Sequence, residues 1–432
     1  MTTSPEPAAF APALLSEIRD RFAHVDACPF SGPRVFFENA GGALRLKSVI
    51  ETSAAYAGYP DNQGRDNPAS AALMKAIARG KGDMRLFLNA QGGQVFVGES
   101  GTEVLFRLIR TAALGAAGGG VMLGSTLEHP ASRSAMARWA DVTGRAHVLV
   151  AHDDATGRVT LDRYLPLLTP DIRVATIVQT SPVTGMSVDV AGIAAAIRAQ
   201  APEAFIIVDG IQHASHGGID CAAYGIDGYA VSPYKVFSRH GYGFGWASDR
   251  LTACAKEQIA GGPAEAWELG TRDAGAYATF SDVVDYLDWL GGKVGGKGDR
   301  RQRIEAAAGA IHDHEARLLE AMLNGQGNRR GLAAMPGVTL IGGGDTSGRE
   351  GVVSLTLAGM ASSDLVAHLE ARGIRVHIRK DDHYCGNILH PLGLADCIRV
   401  SICHYNSPAE VMRFLDTMEE AVQQVENEKP AG

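Results

Sequence analysis

No dense run of Lys or Arg occurs in this chain, and its formal net charge is −8, so a nucleic-acid surface is not expected. No uninterrupted apolar segment is long enough to span a bilayer. The first residues, Met1 to Phe10, lack the basic start and apolar stretch of a secretory signal. Neither membrane nor nucleic acid is therefore an expected partner, and the expectation is a soluble, cytoplasmic protein. The six cysteines (Cys28, Cys221, Cys254, Cys385, Cys397, Cys403) form no CxxC pair and read as free thiols of a reducing compartment. A phosphate loop is missing too. Gly291 to Gly298 fits GxxxxGK, but Gly298 stands where Ser or Thr should follow the lysine, and a helical pattern, DVVDYLDWL, precedes it where a strand is required. GYGFGW opens no helix and is not a dinucleotide fingerprint.

What is present is ordinary globular composition, 46% hydrophobic and 20% charged over 432 residues, a length that suggests two domains. From Val95 to Ser248, short apolar runs (VFVGES, VMLGS, HVLVAH, VATIVQT, FIIVDG, YAVS, FGWAS) alternate with helix-length amphipathic stretches such as Glu103 to Leu114 and Ala131 to Val142. Both faces of each run look buried, as helices on either side of a mostly parallel sheet require. An α/β domain is expected over residues 36–285. After Gly291 come a long helical pattern (Arg303 to Met322), strand-like VTLIG and VVSLTL, a helix from Ser363 to Ala371, then RVHI, IRVSI and a last helix from about Pro408 to Val425. Ser407 as N-cap, Pro408 in the first turn and Glu410 closing a capping box mark the start of that helix. Residues 286–432, joined by 1–35, are expected to form a smaller α+β domain.

The chemically suggestive residues sit at the ends of predicted strands, where open parallel sheets bind ligands. Ser100-Gly101-Thr102-Glu103 offers free amides, a hydroxyl and a glycine at a helix start, which suits a phosphate or a plain N-cap. His129 could stack on a flat ring or move a proton; a lone strand-end histidine is more often a capping residue. Asp209 ends a very apolar strand, where a carboxylate is costly unless paired. A protonated pyridine nitrogen would pair it and keep that ring an electron sink; a helix N-cap is the alternative. Lys235, in Ser232-Pro233-Tyr234-Lys235, is desolvated at an apolar strand end, which frees its amine as a nucleophile.

With these motifs in this order, the chain resembles class V aminotransferases, in the branch of cysteine desulfurases, selenocysteine lyases and isopenicillin-N-epimerase-like proteins. The resemblance runs from FFENAGGA at Phe36 to Glu410. It implies the fold type I architecture of pyridoxal-phosphate enzymes, with a seven-stranded sheet and a smaller second domain, and pyridoxal 5′-phosphate as cofactor. By resemblance Lys235 is the Schiff-base lysine, Asp209 lies at the pyridine nitrogen and Gln212 near the phenolic oxygen. His129 lies over the ring face, and Gly101, Thr102 and Ser232 lie at the phosphate. WELGTRDAG resembles a segment crossing a homodimer interface, with Thr271 on the partner's phosphate. RVSICHYNSPAEV resembles the strand whose arginine, here Arg399, grips the substrate carboxylate in bidentate fashion.

Cysteine-like C–S cleavage on a small amino acid, with a sulfur acceptor as further partner, is the leading expectation, and transamination, elimination or epimerisation on the same scaffold the alternative. A non-catalytic binding protein fits less well, since it needs no electron sink with a proton shuttle. Cys385 falls where desulfurases of this family carry a nucleophilic cysteine, and near Arg379, Lys380 and His383 its thiol is expected to be acidified. The family's Arg-x-Gly-x-x-Cys is here Lys380-Asp-Asp-His-Tyr-Cys385, Tyr234 replaces a usual His, and Ser181-Pro182 replace a usual Asn. Arg65, in NQGRDNPAS, is placed in a loop at the site entrance. His312 and His314 are expected in solvent. His377, His383, His390, Cys397, Cys403 and His404 have no compact spacing, so no metal is expected.

Overall fold

In the computed structural model, which describes residues 10–428, the seven apolar runs form one sheet. Its strands are β1 (Gln94–Gly98), β2 (Val121–Ser125), β3 (Ala146–Val150), β4 (Ile172–Val178), β5 (Phe205–Asp209), β6 (Gly228–Val231) and β7 (Gly243–Ala247). Their order is β1-β7-β6-β5-β4-β2-β3. Strands β2 to β6 run parallel, and β7 is antiparallel between β1 and β6.

The continuous apolarity of these runs follows from two covered faces. Phe205 and Ile207 of β5 pack with α1 (Gly101–Gly115) and α2 (Pro130–Thr143). The alternate residues Ile206 and Val208 face the other side, with Ile193 and Ile197 of α3 (Val190–Gln200). Each such fully buried Ile contributes about 1.5–3 kcal/mol of apolar transfer free energy. Strand β3 departs from the expectation of double burial: it is the sheet's edge, and Leu149 is 40% exposed. Helices α4 (Ala274–Lys293) and α5 (Arg300–Asn324) follow, and the second sheet comes after them.

That sheet is antiparallel, ordered β8 (Val338–Ile341), β9 (Val352–Leu357), β11 (Asp396–Ser401), β10 (His377–Lys380). Leu355, Ile398 and Val400 bury one face against α6 (Ser362–Ala371) and α7 (Pro408–Glu428). The RVHI run is divided. Ile374–Arg375 pairs in parallel with Val35–Phe36, while His377 onward joins β11. Helix α7 starts as its sequence predicts, with Ser407 N donating to Glu410 Oε2 (2.8 Å) and Glu410 N to Ser407 Oγ (3.2 Å).

His314 does not meet solvent. It is fully buried, bonds Asn406 O through Nε2 (2.9 Å) and packs on Phe10, whereas His312 is exposed. Helix α5 is covered on the His314 side by the N-terminal segment and by the segment after β11, so spacing along the helix did not announce it. No described helix is long and apolar enough to cross a membrane.

Candidate active site

The carboxyl ends of the central strands bring Thr102, His129, Asp209, Gln212, Ser232 and Lys235 around one small cavity. Helix α1 starts at one end of it. Ser100 caps that helix through Glu103 N (3.2 Å), and Gly101 and Thr102 carry its first amides. The backbone at Gly101 approaches β6 so closely that a Cβ would lie 2.2 Å from Ser232 Oγ and 2.6 Å from Ile211 Cδ1. A side chain at this position would have to push both of these side-chain ends aside. Gly101→Ala is therefore expected to displace Ser232 and cost about 1–3 kcal/mol through overpacking, seen as weaker cofactor retention in equilibrium dialysis.

Asp209 ends β5 and is 4% exposed. Its carboxylate accepts from Ile211 N (3.1 Å) and Ser132 Oγ (3.4 Å). Burial raises its pKa, opposed by the Ile211 amide, Lys235 and Ser132. Such a group calls for a cation. Lys235 follows β6 on a single 3₁₀ turn, Pro233–Lys235, and its Nζ donates to Gln212 Oε1 (3.2 Å). Burial, reinforced by Arg399, depresses its pKa to about 7 against the pull of Asp209.

His129 caps α2, its Nδ1 accepting from Ala131 N (3.1 Å). The capping role and the cavity position coexist. Burial, then Lys235 and the guanidinium groups of Arg379, Arg133 and Arg399, lower its pKa to about 3, so the imidazole is neutral with its proton on Nε2.

The second sheet closes the site. Because Ile398 and Val400 point to its core, Arg399 points the other way, level with Ser354 and His377. Arg399 is 3% exposed, donates to Pro182 O (2.9 Å), and its Nε has no hydrogen-bond partner. Burial and Arg379 lower its pKa to about 10. Arg379 donates through Nε to Cys385 Sγ at 2.8 Å. Cys385 corrects the expectation of an acidic thiol: it is fully buried, and burial raises its pKa despite Arg379. Thr271 and Arg65 are exposed on loops outside the residues lining this chain's cavity.

Sequence reasoning passed over Glu128 and a pair of histidines. Glu128 is buried under Thr176 and Ser125, and burial raises its pKa to about 8. His213 Nδ1 bonds Glu350 (3.0 Å) and its Nε2 the carbonyl of Gly218 (3.1 Å). His216 bonds Glu315 (2.6 Å). Glu315, Cys403 and His404 place polar atoms within 4.8 Å of one another, an assembly from separate elements that no local spacing announces.

The family model for aminotransferase class V matches residues 35–278 and 304–414. The chain belongs to the class V aminotransferases. A probable cysteine desulfurase of Pseudomonas putida is 29% identical over 317 residues, covering 69% of this chain and 71% of that protein. A cysteine desulfurase-like protein of Aspergillus flavus is 26% identical over 90% of this chain and 88% of its own length. The apo structure of a cysteine desulfurase from Thermococcus onnurineus shares the fold, with a TM-score of 0.79 at 19% identity, covering 98% of this chain and 100% of that one. Class V aminotransferases of this kind are pyridoxal 5′-phosphate enzymes, and so is this chain. Its residues fit that cofactor. A buried carboxylate, the hydroxyls of Thr102 at a helix start and of Ser232, and a desolvated amine all border the same cavity.

Proposed function

We propose that this class V aminotransferase cleaves a C–S bond in a small L-amino acid related to cysteine, with Lys235 as the amine that holds the cofactor aldehyde. The observation that carries the reading is the convergence of Lys235 and Asp209 on one cavity, with the neutral imidazole of His129 beside them. The relatives named cysteine desulfurase support the outcome. Bound there, the cofactor would supply an electron sink for charge developing at the substrate Cα. Asp209 would hold the ring nitrogen, Gln212 the ring oxygen, and Gly101, Thr102 and Ser232 the phosphate. Lys235, uncharged above about pH 7, would take and return the Cα proton. Arg399, with its unpartnered Nε, would grip the α-carboxylate, and Arg379 would hold the other end of the substrate beside Cys385.

The same reading includes a homodimer in which Thr271 serves the partner's cavity, an interchange supported by its exposed position on a loop outside its own. The division into domains at residues 36 and 286, a cytoplasmic location and a sulfur acceptor belong to it as well.

One observation favours a second outcome, elimination or transamination without a cysteine nucleophile: the Cys385 thiol is buried and its pKa is raised. Cys385→Ala separates the two. If Cys385 takes sulfur, alanine formation from cysteine falls by at least ~10²-fold while the cysteine-induced change in the cofactor spectrum persists. Full alanine production by the variant, with an added thiol reducing the released sulfur to sulfide, removes Cys385 from the reaction. Pyruvate with sulfide in place of alanine marks elimination, and a 2-oxo acid that still carries its sulfur overturns C–S cleavage itself.

A further inference from the structure

Behind the lysine runs a buried line of groups, of which the proposed reaction uses Gln212 but neither His216 nor Glu315. Lys235 Nζ donates to Gln212 Oε1 at 3.2 Å, and Gln212 Nε2 lies 3.4 Å from His216 Nε2. His216 Nδ1 lies 2.6 Å from Glu315 Oε2 on α5. Gln212, His216 and Glu315 are 4%, 2% and 3% exposed, so water cannot stand in for any of them.

The neighbouring pair has no freedom. His213 faces the Glu350 carboxylate with Nδ1 and the Gly218 carbonyl with Nε2. Both contacts are acceptors, so both nitrogens of His213 donate and its imidazole is cationic. His216 differs. Its Nδ1 donates to Glu315, but its Nε2 meets an amide that can offer either an N–H or an oxygen.

We infer that the Gln212 amide is a two-position relay that couples the charge on Lys235 to the charge on the His216–Glu315 pair. With Lys235 cationic, the amide oxygen accepts from the ammonium and the amide NH₂ donates to a neutral His216 Nε2. With Lys235 neutral, the amide turns over: its NH₂ donates to the amine lone pair and its oxygen accepts from Nε2–H of a cationic His216. In either position one cation faces Gln212 and no two donors oppose each other. His216 and Glu315 are thus positioning residues, acting on Lys235 through Gln212.

The surroundings of each end agree with this. The titratable groups facing His216 are Glu315 from α5, Glu350 before β9, His404 after β11, His213 on its own segment and Lys235 after β6. Burial alone would discharge His216, yet Glu315 and then Glu350 raise its pKa overall, while Lys235 opposes. Lys235 in turn faces Asp209, Arg399 and Arg379, and is driven toward the neutral amine. His404, held by Tyr286 at 2.6 Å, stays neutral and does not compete.

The inference rests on Lys235 being the working amine, but its test does not use turnover. Full-length protein, cofactor-free and cofactor-loaded, labelled with ¹⁵N-histidine, reports both nitrogens of His216 as pH is varied. In parallel, trinitrobenzenesulfonate modification of Lys235 in the cofactor-free protein is followed by peptide mass. Because the two positions hold the same number of protons, the relay requires Lys235 and His216 to share one proton, so that across the neutral range His216 Nε2 is protonated to the extent that Lys235 is uncharged and reactive. Glu315→Gln should hold His216 neutral, fix the amide oxygen on Lys235 and slow its modification at neutral pH by about three- to tenfold, the worth of one hydrogen bond. Combined with Gln212→Met, the same substitution should have no effect on Lys235. Equal effects of Glu315→Gln in both backgrounds, or a His216 whose charge ignores Lys235 in the wild type, overturn the relay. The wild-type titration needs no variant to fold. A cofactor found on another lysine would refute the proposed function and leave this titration to be read by itself.

Discussion

Lys235→Ala is expected to abolish the covalently held, coloured form of the protein and to lower turnover by at least ~10²–10⁴-fold, the range for loss of a positioned acid–base group, with the fold intact. The expectation follows from placement. Lys235 is set by the turn after β6, between the Gln212 amide and the cluster of Arg399 and Arg379, and burial plus those charges bring its pKa to about 7. An ordinary lysine, titrating near 10.4, is almost wholly charged at neutral pH; this one is about half neutral there. The modification rate of Lys235 in cofactor-free protein should therefore rise with pH through about 7 and level off about one pH unit above it, while surface lysines continue to gain reactivity. Borohydride reduction followed by peptide mapping locates the attachment. A reduced adduct on any other lysine, or an alanine variant that keeps its colour, removes Lys235 from the mechanism.

Much of this site was legible because a parallel sheet converts sequence order into spatial convergence. Each candidate ended an apolar run, and the runs became adjacent strands, so Thr102, His129, Asp209, Gln212, Ser232 and Lys235 met at one end of the sheet. What stayed hidden depends on contacts between distant segments. Cys385 looked acidic beside Arg379 and His383, but the fold buries the thiol, and desolvation outweighs the Arg379 contact. His314 looked like a surface residue of a long helix until the N-terminal Phe10 and the Asn406 carbonyl covered it. His216 had no visible role, because its partner Glu315 lies 99 residues away on α5. The division of RVHI between two sheets was likewise illegible, since alternation along four residues says nothing about which neighbour each will pair with.

Asp209→Asn should separate cofactor affinity from protein stability, in opposite directions. In the cofactor-free protein the carboxylate is buried, accepts from Ile211 N and, at the long distance of 3.4 Å, from Ser132 Oγ, and is attracted by Lys235. Its folded-state pKa is raised, so between the ordinary aspartate value and the raised one the folded state holds more protons than the unfolded state. Stability then falls as pH increases through that window. The amide variant keeps the shape without the charge, and its cofactor-free melting temperature should be higher than wild type at neutral pH and flatter across the acidic range. With the cofactor present the ranking inverts. A ring nitrogen that carries a proton in this enclosed site needs the carboxylate opposite it, and removing one partner of a buried ion pair costs about 3–5 kcal/mol, which is roughly 10²–10³-fold or more in affinity. Wild type should then gain more in melting temperature from the cofactor than Asp209→Asn does, with the difference measured by thermal denaturation at fixed cofactor concentration. An Asn variant that binds the cofactor within about threefold of wild type would mean that Asp209 faces something other than the ring nitrogen, and the electron-sink reading would lose its anchor.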